Sequence, residues 1–155
     1  MIILSKLADY GVIVATELAV EPERQVTASA VAHATQLPLA TVAKVLKGLA
    51  HAGIVTGSRG AAGGYLLARP PAAVSVAEVV AAIDGDIGVT QCTSHDTSHD
   101  ETCSRTSFCP TRPHWQRINV AVTGALAAVT LADMAAERTG QRNWNFIPSG
   151  ERAIP

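Results

Sequence analysis

Three cysteines, Cys92, Cys103 and Cys109, are the only ones in the chain, and all fall within one short polar stretch. Soft thiolates brought together on one segment suit a transition metal or an iron–sulfur cluster. The Ser, Thr, Asp and His residues around them are too polar for inert buried thiols. From Thr90 to Pro113 the chain shows no helical or strand periodicity, and it carries an imperfect duplication, Thr93-Ser-His-Asp followed by Thr97-Ser-His-Asp. A loop of that length in a small domain is usually functional, and binding a metal group would organise it. Three thiolates leave one coordination position open, for which His95, His99 and His114 are on hand. Three cysteines with one histidine also make a closed zinc site, so zinc stands beside the cluster as an alternative.

Composition bounds the scaffold that must hold those residues. A chain of 155 residues has length for one compact domain plus an added element. Hydrophobic residues are 48% of it, largely alanine and valine, and aromatics only 4%. That mixture favours small, closely packed helices over a broad aromatic core. The sequence holds no run of about 18 apolar residues, so no membrane span is expected. The first residues, MIILSKLADY, lack a basic region followed by an apolar stretch and a cleavage site. The expectation is a cytoplasmic protein whose thiols stay reduced.

Leu7, Tyr10, Val14 and Leu18 recur in steps of three and four, which predicts a helix from Ser5 to Ala19, ended by Glu21-Pro22. Thr27 is placed to cap a second helix over about 28–35, broken by Gln36-Leu37-Pro38. Val42, Val45, Leu46 and Leu49 fill the helical template of a third, from about Leu39 to Gly53. Two β-prone runs, Ile54–Thr56 and Tyr65–Arg69, flank a glycine-rich turn and predict a hairpin. Ser75 and Glu78 form a capping box for a fourth helix reaching about Ile83. A long helix is expected from His114 to about Val129, with Trp115, Ile118, Val122, Ala125 and Val129 spaced like a coiled-coil seam. One small domain does not cover such a protruding stripe, so a homodimer through residues 114–129 is predicted. A short helix follows from Thr130 to about Arg138, and a mobile tail from 140.

The predicted fold class is thus mostly α with a small β-hairpin: a winged helix-turn-helix plus a long C-terminal dimerisation helix. Four parts are expected: a DNA-binding unit at 1–85, a cysteine-bearing segment at 86–113, the dimerisation helix with its short successor at 114–139, and the tail at 140–155. Two short helices joined by a tight turn place the later one in the DNA major groove. Thr41, Lys44 and Gly48 lie opposite its apolar stripe. Between Glu23 and Glu78 there is no acidic residue, while Arg24, Lys44, Lys47, Arg59 and Arg69 all fall there, as on a phosphate-facing surface. The hairpin reads as a wing, with Arg59 aimed at a narrow minor groove and Gly60, Gly63 and Gly64 allowing close approach to the backbone. Candidate DNA contacts are Thr27, Ser29, Thr41, Lys44, Lys47, Arg59, Gly60, Gly63, Gly64 and Tyr65. A nucleotide-phosphate loop is excluded by the missing Gly-Lys-Ser/Thr ending.

With these features in place the chain resembles the IscR/NsrR family of winged-helix iron–sulfur regulators, most closely the subgroup controlling SUF-type cluster assembly. The supporting residues are Leu4-Ser-Lys-Leu-Ala-Asp-Tyr10, Leu37-Pro-Leu-Ala-Thr-Val-Ala-Lys-Val-Leu-Lys47, Arg59-Gly-Ala-Ala-Gly-Gly-Tyr-Leu-Leu-Ala-Arg69, the cysteine trio and Thr130-Leu-Ala-Asp-Met-Ala135. The resemblance implies a homodimeric repressor that binds a palindromic operator. It also implies one cluster per protomer, of the 2Fe-2S or 4Fe-4S type, held by Cys92, Cys103 and Cys109. It offers Asp9, given from the partner protomer, as the fourth ligand. Two features depart from the family pattern. The Cys92–Cys103 gap of ten residues is longer than in the best-known members, and the position where a two-iron member places its histidine is Arg112 here. The competing readings are a zinc-binding or metal-free winged-helix regulator responding to redox or nitric oxide, and an enzyme. For the last there is no CxxC, no HExxH and no nucleotide loop.

Overall fold

Ala8, Val14, Ala15, Leu18 and Ala19 line the buried side of α1 (Lys6–Val20) in the computed structural model of the protein, which describes residues 4–60, 63–93, 103 and 108–138. Ser5 opens α1: its hydroxyl accepts from the Ala8 N–H at 3.0 Å and donates to Asp84 at 2.6 Å. One side chain therefore caps the first helix and ties it to the end of α4 (Val76–Asp84). Against α1 pack α2 (Ala28–Thr35), α3 (Leu39–His51), α4 and the C-terminal α6 (Leu131–Arg138). Val31, Val42, Val45, Leu46, Leu49, Val79 and Leu131 fill the space between them with no exposed surface. Each such side chain contributes about 1.5–3 kcal/mol through burial.

The helix pair α2–α3 forms as its sequence dictates. Thr27 caps α2 by accepting from the Ala30 N–H at 3.2 Å, and Gln36 ends it at φ 58°, a left-handed turn made without glycine. α3 ends at His51, and Gly53 takes the positive φ of 71° that the following turn requires. β1 (Val55–Ser58) and β2 (Gly64–Leu67) pair antiparallel, with Val55 opposite Leu67 and Ser58 opposite Gly64. This mostly helical architecture with one two-stranded sheet is the winged helix-turn-helix expected from the sequence.

Three features differ from expectation. The long helix α5 runs from Arg112 to Ala127, beginning ahead of His114, because Pro113 lies in the first turn, where a missing N–H costs nothing. Gly48 is not a solvated position: a Cβ there would lie 3.1 Å from Ile83 Cδ1, so α3 and α4 touch at this glycine. And α6, grouped with the dimerisation helix by the sequence reading, packs onto α1, with Leu131 fully buried. Its start is held by the bridge between Ser75 and Thr130, where Val76 N–H donates to Val129 O and Leu131 N–H to Val74 O, both at 2.9 Å. The expected tail from 140 lies outside the described residues.

Two reciprocal caps flank that bridge. Ser75 and Glu78 form the capping box of α4, with Ser75 N–H donating to Glu78 Oε2 at 2.9 Å. Thr130 and Asp133 do the same for α6 at 2.9 and 3.2 Å. The Ser75 N–H and then the Arg69 guanidinium hold the Glu78 carboxyl below its ordinary range, and Thr130 does so for Asp133. A carboxylate whose folded pKa is depressed adds stability above its unfolded pKa and loses it as pH falls through the folded one. Denaturant unfolding at neutral and at acid pH is therefore expected to show less acid destabilisation in Glu78→Gln than in the parent.

Candidate nucleic-acid interface and cysteine site

The wing is anchored by a backbone exchange. Val26 N–H donates to Tyr65 O at 2.9 Å, and Tyr65 N–H donates to Val26 O at 2.8 Å. Val26 immediately precedes the Thr27 cap, so the base of the wing and the N-terminus of α2 form one unit. Gln25 Nε2 adds a bond to Ser58 Oγ at 2.8 Å. This exchange explains Gly64, and the hairpin turn explains Gly63. A Cβ on Gly64 would lie 2.9 Å from Val26 O, and one on Gly63 would collide with Ser58 O. Both are demanded by the hairpin's own packing. At the tip, Gly60 takes φ 112°, a value that disfavours any side chain.

Around this unit the predicted contacts distribute unevenly. Lys44 and Lys47 are exposed on α3, Arg59 and Gly60 are exposed at the hairpin tip, and Thr27 and Ser29 are exposed at the start of α2. Thr41 is half-buried. Tyr65 is half-buried too, and its ring packs on the main core and over Gly57. The five cations of the acid-free stretch divide in two. Arg24 is paired with Glu21 at 2.7 Å and Arg69 with Glu78 at 2.7 Å. Lys44, Lys47 and Arg59 have no ion pair among the described residues. The charge able to meet a phosphate backbone is therefore concentrated on α3 and the wing tip.

The cysteine segment is tied to α5 at both described ends. Cys109 lies in the turn that opens the helix, with Sγ 3.2 Å from Thr111 Oγ1. Cys92 lies in a turn closed by Thr93 N–H donating to Thr90 O at 2.9 Å, and its Sγ is 3.2 Å from Thr90 Oγ1. Sequence reasoning missed Asn119 of α5, whose amide bonds Ile87 O at 3.0 Å and Val89 N–H at 2.9 Å. No local pattern marks it, since its partners lie some 30 positions away.

All three cysteines are half-buried, and their donor chemistry fits a cluster or zinc. The expected gathering is not seen: among the described residues no three His, Cys, Asp or Glu side chains come together as a metal-holding group. Asp9 is exposed in the first turn of α1, and His114 is exposed in the first turn of α5. His95 and His99 lie outside the described residues.

A helix pair with a paired wing, bearing its unpaired cations on the second helix and the wing tip, defines a winged helix-turn-helix transcriptional regulator. The Rrf2 family profile, described as an iron-dependent transcriptional regulator, matches residues 4–137. The chain belongs to the Rrf2 family. Among curated relatives, a protein named as an HTH-type transcriptional regulator from Neisseria meningitidis is 29% identical over 110 residues, 71% of each chain. IscR of Photorhabdus laumondii is 32% identical over 82 residues, which are 53% of this chain and 47% of that protein. The chain thus spans about half the length of that IscR. The solved structure of CymR, titled the global cysteine regulator of B. subtilis, superposes with a TM-score of 0.68 at 28% identity, covering 88% of this chain and 98% of CymR. T. potens IscR superposes with a TM-score of 0.68 at 25% identity, covering 91% and 92%. No described helix is long and apolar enough to cross a membrane.

The contact between Gly64 and Val26 is directly testable. Gly64→Ala is expected to destabilise the fold by about 1–3 kcal/mol, the usual cost of overpacking, read as a lower denaturation midpoint. An unchanged midpoint would show that the wing base yields freely.

Proposed function

We propose that this protein is an iron–sulfur cluster-dependent transcriptional regulator, a repressor of SUF-type cluster assembly genes. The observation that carries the reading is the placement of Cys92 and Cys109 at the two described ends of the cysteine segment, the first in the turn that follows the Asn119 contacts and the second in the turn that opens α5. The cofactor ligands in this reading are Cys92, Cys103 and Cys109, with Asp9 of a second protomer as the fourth. When bound, a cluster supplies a centre whose redox state and integrity respond to oxidants. In this reading ligation would order the 90–113 segment against α5.

The rest of the chain turns that order into DNA affinity. Residues 1–85 read the operator, with Thr41 and Lys44 toward base edges and Lys47, Thr27 and Ser29 toward phosphates. Arg59 enters the minor groove beside Gly60 and Tyr65, and Gly63 and Gly64 shape the hairpin that carries it. Trp115 and Ile118 are 38% and 42% exposed in the single chain, and α5 has no buried residue. That uncovered seam pairs with a second copy, giving two reading units for a palindromic site. Cluster state then shifts the spacing between the two units.

Two measurements check this. Anaerobic purification should give a coloured protein, and Cys103→Ala should be colourless and unresponsive to oxidant while remaining dimeric. A colourless, iron-free parent after reconstitution would leave zinc or a metal-free regulator. In gel shifts with fragments recovered from genomic DNA, Arg59→Ala should weaken binding and reduce the slope of log affinity against log salt by about 1, the value of one lost phosphate contact.

A further inference from the structure

Both ends of the Asn119 amide act on one segment, Nδ2 donating to Ile87 O and Oδ1 accepting from Val89 N–H. Such a two-point contact fixes the position and the rotation of the segment it holds. Directly after Val89 the chain enters the Thr90–Thr93 turn. There Thr90 N–H donates to Thr93 Oγ1 at 3.1 Å, Thr93 Oγ1 donates to Thr90 O at 2.9 Å, and Thr93 is 7% exposed. Cys92 sits inside that turn. From Asn119 to the thiol, the path therefore runs through consecutive hydrogen-bonded residues.

Packing joins the segment to the helix at one place, where Ile87 and Leu126 lie against the same apolar cluster of Ala8, Val76 and Val80. Ile87, Gly88 and Val89 form one wall of a cavity of about 470 Å³, and Val122, Ala125 and Leu126 of α5 form another. That apolar contact fixes Ile87 but does not reach Val89, whose N–H is held to the helix by the Asn119 amide.

We propose that Asn119 is a positioning residue that couples Cys92 to α5, so that a change at this thiol displaces the helix through which two copies pair. The purpose of the coupling rests on the sensing role above, but its existence does not need a bound metal.

The test uses the metal-free full-length protein carrying Cys103→Ser and Cys109→Ser, in which Cys92 is the one remaining thiol. Alkylating it with iodoacetamide should change affinity for the genomic DNA fragment by about fivefold or more. With Asn119→Ala, or with the near-isosteric but apolar Asn119→Leu, the same alkylation should leave affinity essentially unchanged. The Val89 amide should also exchange with deuterium faster in both variants. An equal affinity shift with and without the Asn119 amide overturns the proposal, as does no shift in any of the proteins. A colourless parent would count against the cluster and leave this result standing.

Discussion

Two backbone hydrogen bonds fix one end of the long helix. Val76 N–H to Val129 O and Leu131 N–H to Val74 O fasten the junction of α5 and α6 to the junction that begins α4. Peptide groups exchanged in this way hold position far better than side-chain packing alone. The C-terminal end of α5 is therefore part of the reading domain, locked through Leu131 into the core beneath α1. Its N-terminal half, with Trp115 and Ile118, projects beyond that anchor. The bridge thus leaves α5 with one end fixed to the helical core and the other opening from the turn that holds Cys109.

Much of the architecture was legible because its causes are local. The Thr27 and Ser75–Glu78 caps, the Gly53 helix end and the apolar template of α3 all sit where short-range chemistry puts them. The start of α5 was misjudged by reading Pro113 as a loop residue, although proline is at home in the first turn of a helix. What stayed hidden depends on partners distant in sequence. The Val26–Tyr65 exchange, the return of α6 to α1 and the Asn119 contacts have no periodic signature, because each is defined only once the chain has folded. The cysteines were visible as a chemical set, but their types and spacing say nothing of where the segment places them.

Charge shows the same division. Five cations in an acid-free stretch read as one basic face, yet two of them are neutralised at close range. Arg24 meets Glu21 within its own turn, whereas Arg69 reaches Glu78 at the first turn of α4 and so reinforces a cap. Exposed pairs of this kind contribute little to stability, on the order of 0–1 kcal/mol, but they remove charge from the surface that faces a polyanion. Lys44, Lys47 and Arg59 have no ion pair among the described residues, so a chain of net charge −1 keeps three of these five cations unneutralised at its surface.

The contact of Gly64 with the Val26 carbonyl has an implication for how such a protein diversifies. Its base admits no larger residue without displacing the peptide beneath, whereas Gly60 at the apex has nothing within 4 Å of where a methyl group would be added. The hairpin thus closes to larger side chains at Gly64 by contact and at Gly60 by its φ of 112°. Change in the wing is thereby barred at two positions for different reasons, a steric one beneath Gly64 and a conformational one at Gly60.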